Sequence, residues 1–369
     1  MRLRRVLGWG LLALFLALVA AGFIAYWTSS NACYDGSAAA PRHPMKAFVY
    51  CDYGQADVLK LEDVDKPAPA PDEVLVKVHA AAVNPLDWHY MRGTPYFMRM
   101  QTGLRRPKVI RLGVDFAGTV EAAGSHVTQF KPGDVVFGGK TGAFAQYVAV
   151  HQDRVVSKPD NLSFEQAASV PIAAITALQS LRDMGQVQPG QKVLINGASG
   201  GVGTFAVQIA KSFGAQVTGV CSTRNVDMVR SLGADQVIDY KKQDYTAGDQ
   251  RYDVILDNVG NRSLTENRRV LAENGKYILV GGGGPNDHTW IGPLGRVAHA
   301  YAASKFGNQE LGMFLAQMKK EDLMVLRELL AAGKVKPVID RRYEFDDLPQ
   351  AIRYLEEGHA RGKVVIAVE

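Results

Sequence analysis

Lys192–Lys211 reads KVLINGASGGVGTFAVQIAK, and the fold of the whole chain turns on it. Val193, Leu194 and Ile195 make the short apolar run of a strand buried on both faces. Four of the next eight residues are glycine (Gly197, Gly200, Gly201 and Gly203), and Phe205, Val207, Ile209 and Ala210 then follow at helical spacing. A glycine fingerprint has meaning in that strand–turn–helix setting. Read as A-x-G-x-x-G on Ala198, Gly200 and Gly203, it departs from the dinucleotide pattern only at the first position. Gly200 would admit a pyrophosphate close to the backbone, and Gly203 would let helix and strand pack tightly. The N–H groups at the helix start would face the phosphate charge. Ala198, Ser199, Gly200, Gly201, Val202 and Gly203 are therefore the candidate cofactor cradle, with a plain glycine turn as the alternative.

Downstream, strand and helix patterns alternate: Gln216–Cys221, a helix near Val226–Leu232, Gln236–Asp239, Asp253–Asp257, a helix near Ser263–Ala272, and Lys276–Val280. That alternation predicts an α/β, doubly wound parallel sheet. Glu310–Met318 and Asp322–Ala332 read as amphipathic helices, and Val335–Ile339, Leu348–Glu357 and Lys363–Val368 as strand, helix, strand. Upstream, Lys46–Tyr50, Val74–Ala80, Gly118–Ala122, Val135–Phe137, Ala145–Val150 and Arg154–Ser157 give a β-rich, barrel-like unit. Helical patterning begins at Ser163–Ala168, where Ser163 and Gln166 match a capping box, and continues at Ala173–Met184.

The 369 residues, 47 % of them hydrophobic, suffice for about two domains. Of the net charge of +5, the first 44 residues carry +3 (four arginines against Asp35), leaving +2 for the rest, too balanced for a nucleic-acid binder. Cys33, Cys51 and Cys221 form an odd, dispersed set without metal or disulfide spacing. Met1–Arg5 holds three arginines, and Val6–Trp27 has no charge. At about 1.5 Å per residue that stretch would reach roughly 33 Å, which predicts one transmembrane helix over residues 6–27 and a single-pass membrane localisation. A cleaved signal peptide is the alternative, its apolar stretch normally shorter, and a chain start at Met45 is another. The arginines favour an inside N-terminus, whereas a nicotinamide cofactor favours the side where it is reduced, so orientation stays open. Thr28–Pro44 reads as a linker.

Ala81–Gly93 (AAVNPLDWHYMRG), Gly113–Gly124 (GVDFAGTVEAAG), Pro132–Phe137 (PGDVVF), Val170–Ala177 (VPIAAITA), Asn196–Ala210, Leu256–Gly260 (LDNVG) and Arg361–Val365 (RGKVV) resemble the medium-chain dehydrogenase/reductase superfamily. They resemble in particular its zinc-independent, quinone-oxidoreductase-like (enoyl reductase-type) branch. The resemblance implies a GroES-like β-rich catalytic domain over 45–168, completed by 337–369, and a Rossmann NAD(P)-binding domain over 169–336. Residues 1–44 would be anchor and linker. The family's alcohol dehydrogenases have a cysteine ligand where this chain has Asn84 and a histidine where it has Val114, and their four-cysteine lobe has no counterpart here. No tetrahedral N/S zinc site is expected, and Asp87 with Asp115 would bind zinc poorly.

An NAD-preferring site places a carboxylate after the second nucleotide strand. This chain has Ser222, Thr223 and Arg224 there, a set suited to a 2′-phosphate, so NADPH is the expected cofactor. Arg224 as a solvated charge is the alternative. The resemblance adds Tyr240 beside that phosphate and Thr176 facing the nicotinamide, unless the Thr176 hydroxyl bonds its own helix. Asn258, Gly281 and Gly282 end strands on the ligand side, and Arg361 and Lys363 would reach the cofactor or pair with carboxylates. Asn84, Asp87 and Tyr96 are placed around the substrate as catalytic candidates. Hydride addition to a quinone or an enone leaves charge on oxygen, which needs a hydrogen-bond donor and then a proton. Asn84 as a turn residue and Asp87 as a loop tether are the structural alternatives. Leu294–Phe306 is an insert that would roof the pocket, pack on a second subunit or touch lipid.

These observations predict an NADPH-dependent oxidoreductase acting on a quinone or α,β-unsaturated carbonyl, with a possible homodimer by family habit. An aldehyde or ketone reductase and a non-catalytic NADPH sensor are the alternatives.

Overall fold

The computed structural model describes residues 41–282 and 307–369, with Ala20, Gly22, Ile24, Tyr26, Trp27, Asn31, Cys33, Gly284 and Gly295 besides. An antiparallel pair, β1 (Pro44–Val49) and β2 (Lys60–Asp65), opens the chain's regular structure. There follow β3 (Glu73–Val83), helix α1 (Pro85–Arg92), β4 (Asp115–Ala123), β5 (Val135–Gly139), β6 (Tyr147–His151) and β7 (Val155–Ser157). Short helix α2 (Phe164–Ala168) and α3 (Pro171–Gln179) lead to the second sheet. The capping box holds: Ser163 Oγ accepts from the Gln166 N–H (3.2 Å) and Gln166 Oε1 from the Ser163 N–H (2.9 Å).

The second sheet is parallel throughout, built of β8 (Lys192–Asn196), β9 (Gln216–Cys221), β10 (Gln236–Asp239), β11 (Tyr252–Asp257), β12 (Leu271–Leu279) and β13 (Glu310–Met313). Its order is β10-β9-β8-β11-β12-β13, so the winding reverses between β8 and β11, where such sheets bind ligands. The crossovers among the described residues include α4 (Gly201–Ser212), α5 (Val226–Ser231) and α6 (Leu264–Arg269). After α7 (Lys320–Ala331) the chain returns through β14 (Ile339–Glu344), α8 (Leu348–Glu356) and β15 (Lys363–Ala367). β15 pairs antiparallel with β3, which completes the first sheet in the order β14-β15-β3-β4-β5-β7 with β6 also on β3. Arg92 of α1 and Glu356 of α8 form a two-point ion pair (2.5 and 3.1 Å) across this return.

Apolar periodicity decides what is buried. Val193 and Ile195 of β8 meet Phe205 and Ile209 of α4, Ile175 and Leu178 of α3, and Leu323, Leu326 and Leu330 of α7 in one core. Full burial of each large side chain stabilises by roughly 1.5–3 kcal/mol. A second core holds Val74, Val76 and Val78 of β3, Phe116 and Val120 of β4, and Leu348 and Ile352 of α8.

Four expectations are corrected. No helix among the described residues is long and apolar enough to cross a membrane. The longest, α4 and α7, have 12 residues, about 18 Å against the roughly 30 Å of a hydrocarbon core. That overturns the transmembrane helix and the membrane localisation; of residues 6–27, only Ala20, Gly22, Ile24, Tyr26 and Trp27 lie within the described set. Second, Glu310–Met313 is the sixth parallel strand rather than a helix, because pairing with Lys276–Leu279 of β12 outweighs a helical pattern at the sheet edge. Third, the strand expected at Val335–Ile339 forms later, as β14, where β15 offers a partner. Fourth, Cys33 and Cys51 form a disulfide with Cα atoms 5.8 Å apart, and Asn31 is buried inside the stretch expected to be a linker. The 294–306 insert lies outside the described residues except for Gly295.

The glycine turn is sterically exact at one position. A Cβ on Gly203 would stand 2.1 Å from the Gly197 carbonyl oxygen and 2.7 Å from Ala198 Cα, whereas one on Gly200 would meet only the Gly197 oxygen at 3.5 Å. Gly203→Ala is expected to cost about 1–3 kcal/mol, read as a lower urea midpoint at unchanged slope. Gly200→Ala should leave that midpoint in place.

Candidate active site

The first candidate residue, Asn84, caps α1 at the end of β3 and is buried. Its Oδ1 accepts from Lys363 Nζ (2.5 Å), and its Nδ2 donates to Asp115 Oδ2 (3.0 Å) and the Ala82 carbonyl (3.3 Å). Both amide hydrogens and the amide oxygen are therefore committed within the protein. The ammonium fixes which way the amide faces, since turning it would set an NH2 against Lys363. Lys363, only 3 % exposed at the start of β15, also lies 3.5 Å from Asp115 Oδ2. Asp115 Oδ1 in turn accepts from the Ile172 N–H at the start of α3 (3.0 Å). Asn84 at the end of β3 and Asp115 of β4 thus meet at the ammonium from β15, and α3 is joined to them through Asp115. The same lysine reaches the glycine turn, for a Cβ on Gly201 would sit 3.2 Å from Lys363 Cδ.

Burial pulls the Lys363 pKa below the ordinary lysine value, opposed by Asp115 and Asp87, and pushes that of Asp115 up, opposed first by Lys363. Asp87 is raised to about 7, chiefly by burial, against the backbone N–H groups of Asn84 and Gly113 that it accepts (2.7 and 3.0 Å). Those two bonds make Asp87 a tether between α1 and the segment entering β4, the structural alternative raised from sequence. Tyr96 lies beside Arg99, whose guanidinium carbon is 4.9 Å from its ring centroid.

On the nucleotide side, Ser199 and Ser222 are linked through Asn225, whose Nδ2 donates to both hydroxyl oxygens (3.0 and 3.2 Å). Thr223 donates to Asp239 Oδ2 (2.7 Å), and that bond leads the effects holding the Asp239 carboxyl below its usual range. Arg224 Nη2 donates to the His359 carbonyl (2.7 Å), and Tyr240 is 48 % exposed beside β10. Thr176 Oγ1 donates to the Ile172 carbonyl (2.6 Å), so its hydroxyl bonds its own helix. Arg361 is exposed, its backbone N–H donating to Asp340 (2.9 Å).

Where β8 and β11 end, Asp257 accepts from Asn196 Nδ2, the Val259 and Gly260 N–H groups and the Tyr277 hydroxyl, all within 3.0 Å. Asn258 Nδ2 donates to the Asn196 carbonyl (3.0 Å), and a Cβ on Gly281 would strike the Asn258 carbonyl at 2.1 Å. Gly282 follows it in the chain and is half-buried. Asn225 Oδ1 and Asn258 Oδ1 are buried with no partner among the described residues, two acceptors suited to a ligand's hydroxyl or amide donors. Together with the α4 N-terminus, where the first backbone N–H groups lack helical acceptors, they fit a dinucleotide. Reading the sequence missed Asn225, Asn196 and Asp257, whose roles arise between strands, and took Asp115 only as a poor zinc ligand.

Residues 70–160 match the family model described as alcohol dehydrogenase GroES-like domain, and residues 232–366 the one described as zinc-binding dehydrogenase. The 2-methylene-furan-3-one reductase of Solanum lycopersicum is 37 % identical over 87 % of this chain and 79 % of its own length. The chloroplastic NADPH-dependent alkenal/one oxidoreductase of Arabidopsis thaliana is 35 % identical over the same shares. The solved quinone oxidoreductase of Coxiella burnetii superposes with a TM-score of 0.77 at 32 % identity, over 88 % of this chain and all of that one.

Zinc does not fit the polar cluster. Among the described residues no three His, Cys, Asp or Glu side chains converge. The space between Asn84 Oδ1 and Asp115 Oδ2 is already filled by the chain's own cation, Lys363.

The Asp87 carboxyl binds its proton more tightly folded than unfolded, so the folded chain holds a proton that the unfolded chain releases between about pH 4 and 7. Stability should fall as pH rises through that window. Asp87→Asn is expected to flatten this part of the profile, measured as urea midpoints between pH 5 and 7.5.

Proposed function

The chain belongs to the medium-chain dehydrogenase/reductase superfamily, in its quinone oxidoreductase-like branch, and from that premise we propose that it is a zinc-independent reductase using NADPH to reduce a quinone or an α,β-unsaturated carbonyl. Its class is that of the NAD(P)H-dependent oxidoreductases. The domain bounds that go with this reading are 45–168 with 337–369 for the catalytic unit and 169–336 for the nucleotide unit. The observation that carries it is the buried Lys363, which lies against the glycine turn while bonded to Asn84 and near Asp115.

Bound nicotinamide supplies the hydride. The chain's own residues meet the charge that develops on the acceptor oxygen. Asn84 has no amide hydrogen left to donate, so its part is to orient the ammonium. Lys363 has three N–H donors; Asn84 takes one and Asp115 lies near a second, and the remainder supplies the positive electrostatic field and a proton. Asp115 keeps that cation from being an uncompensated buried charge. Asp87 sets the spacing of α1 and β4 around them.

Ser222, Thr223, Arg224 and Tyr240 form the phosphate-selective end. The preference for NADPH is supported by the absence of a carboxylate in the residues directly after β9, and by Lys241 and Lys242, whose charges act on Asp239, the carboxylate that Thr223 bonds.

The purified full-length chain is expected to oxidise NADPH with a short quinone or an alkenal, at a rate unchanged by a chelator. Bound NADPH without turnover on either acceptor would overturn the reading. Lys363→Met should lower kcat by about 10²-fold or more, the loss typical of removing one donor to a developing oxyanion. The triple substitution Ser222→Ala, Thr223→Ala, Arg224→Ala should erase most of the preference for NADPH over NADH, and an unchanged ratio of kcat/KM would remove the phosphate assignment.

A further inference from the structure

Several residues ahead of β1 are tied to the body. Trp27 lies against Arg105, whose guanidinium is 4.7 Å from its ring centroid. The buried Asn31 donates through Nδ2 to the carbonyls of Cys51 (2.8 Å) and Pro107 (3.0 Å), and its Oδ1 accepts from the Cys33 N–H (3.2 Å). Cys33 is then bonded to Cys51. Asn31 bridges two loops that already lean on each other. The Tyr50 N–H donates to the Ile110 carbonyl (2.9 Å), Asp52 lies 3.4 Å from Arg106, and the Tyr53 hydroxyl donates to the Gly103 carbonyl (2.7 Å). The second of these loops runs on to Gly113, whose N–H Asp87 holds, and to Asp115 beside Lys363.

Hydrogen bonds such as those of Asn31 contribute about 0.5–1.5 kcal/mol each, while fixing one residue's backbone costs about 1–2 kcal/mol. The covalent bond to Cys51 supplies what they lack, by holding Asn31 next to its two carbonyls. We propose that Cys33–Cys51 is a redox latch: oxidised, it holds Asn31 across the Cys51 and Pro107 loops and steadies the segment entering the candidate site; reduced, it lets Asn31 and Trp27 leave. Latching joins the two Sγ atoms and passes two electrons and two protons to a disulfide exchange donor, such as glutathione disulfide, which departs as two thiols. An excess of small thiol runs the exchange backward.

The test uses the full-length chain equilibrated with glutathione disulfide and mapped by a non-reducing digest, in which a linked Cys33–Cys51 peptide is expected. Limited trypsin then reads the Arg105–Arg106 bond, beneath Trp27. The latched protein should be cut at least about tenfold more slowly than the same protein in dithiothreitol, because cleavage requires local opening. Cys33→Ser should be cut at the fast rate in both conditions, with thermal unfolding showing that the domain core stays folded. If the linked peptide never forms, or if cleavage rates with and without reductant are equal, the latch is wrong. A second readout is KM: reduction should raise it several-fold for the acceptor and leave that for NADPH unchanged, and an unmoved acceptor KM would remove the link to the site. That readout rests on the reductase reading and the protease readout does not, so the two fail separately.

Discussion

Lys363 begins the last strand of the chain with its ammonium withdrawn from water, and the site stands or falls with the groups that compensate it. Desolvating an ion of that size costs several kcal/mol, which only close partners in good geometry offset. Asn84 and Asp115 are those partners, 279 and 248 residues earlier in the chain. The ammonium is therefore stable in this place only when β15 has been laid beside β3. One contact thus couples completion of the first sheet to assembly of the chemistry.

The same lysine joins the two halves of the molecule. Its methylene stem passes the first residue of α4, while its tip lies among groups held by β3, β4 and α3. A cofactor seated on the glycine turn would have the cation within the same crevice, on the side where the winding of the second sheet reverses. Asp257 performs the matching task for the nucleotide strands, drawing the ends of β8, β11 and β12 together through four accepted hydrogen bonds. The partnerless amide oxygens of Asn225 and Asn258 are then the natural places for a ligand to add bonds the protein does not make itself.

Much of this was legible in one dimension. The strand, turn and helix around Gly203 follow from local steric demand, and the capping box at Ser163 and Gln166 from spacing alone. Where the reading failed, a distant partner had intervened. Glu310–Met313 has a helical pattern yet becomes a strand because the edge of β12 lies open to it. Asn84 was chosen for an amide that packing then committed to Asp115 and Lys363. Cys33 and Cys51, 18 residues apart, match no disulfide motif, and their bond is a property of the folded chain. An uncharged stretch long enough to span a bilayer is likewise only a statement of composition, and no described helix has that length.

The amino-acid order by itself determined the parallel nucleotide sheet, its glycine turn and the β-rich unit ahead of it, since these depend on side-chain period and on glycine's freedom from steric clash, both local properties. Tertiary structure alone decided which polar groups at the site are spent and which remain to act. Hydrogen-bond capacity is a count over neighbours, and the neighbours of Asn84, Asp115 and Lys363 are set by how distant strands are laid together.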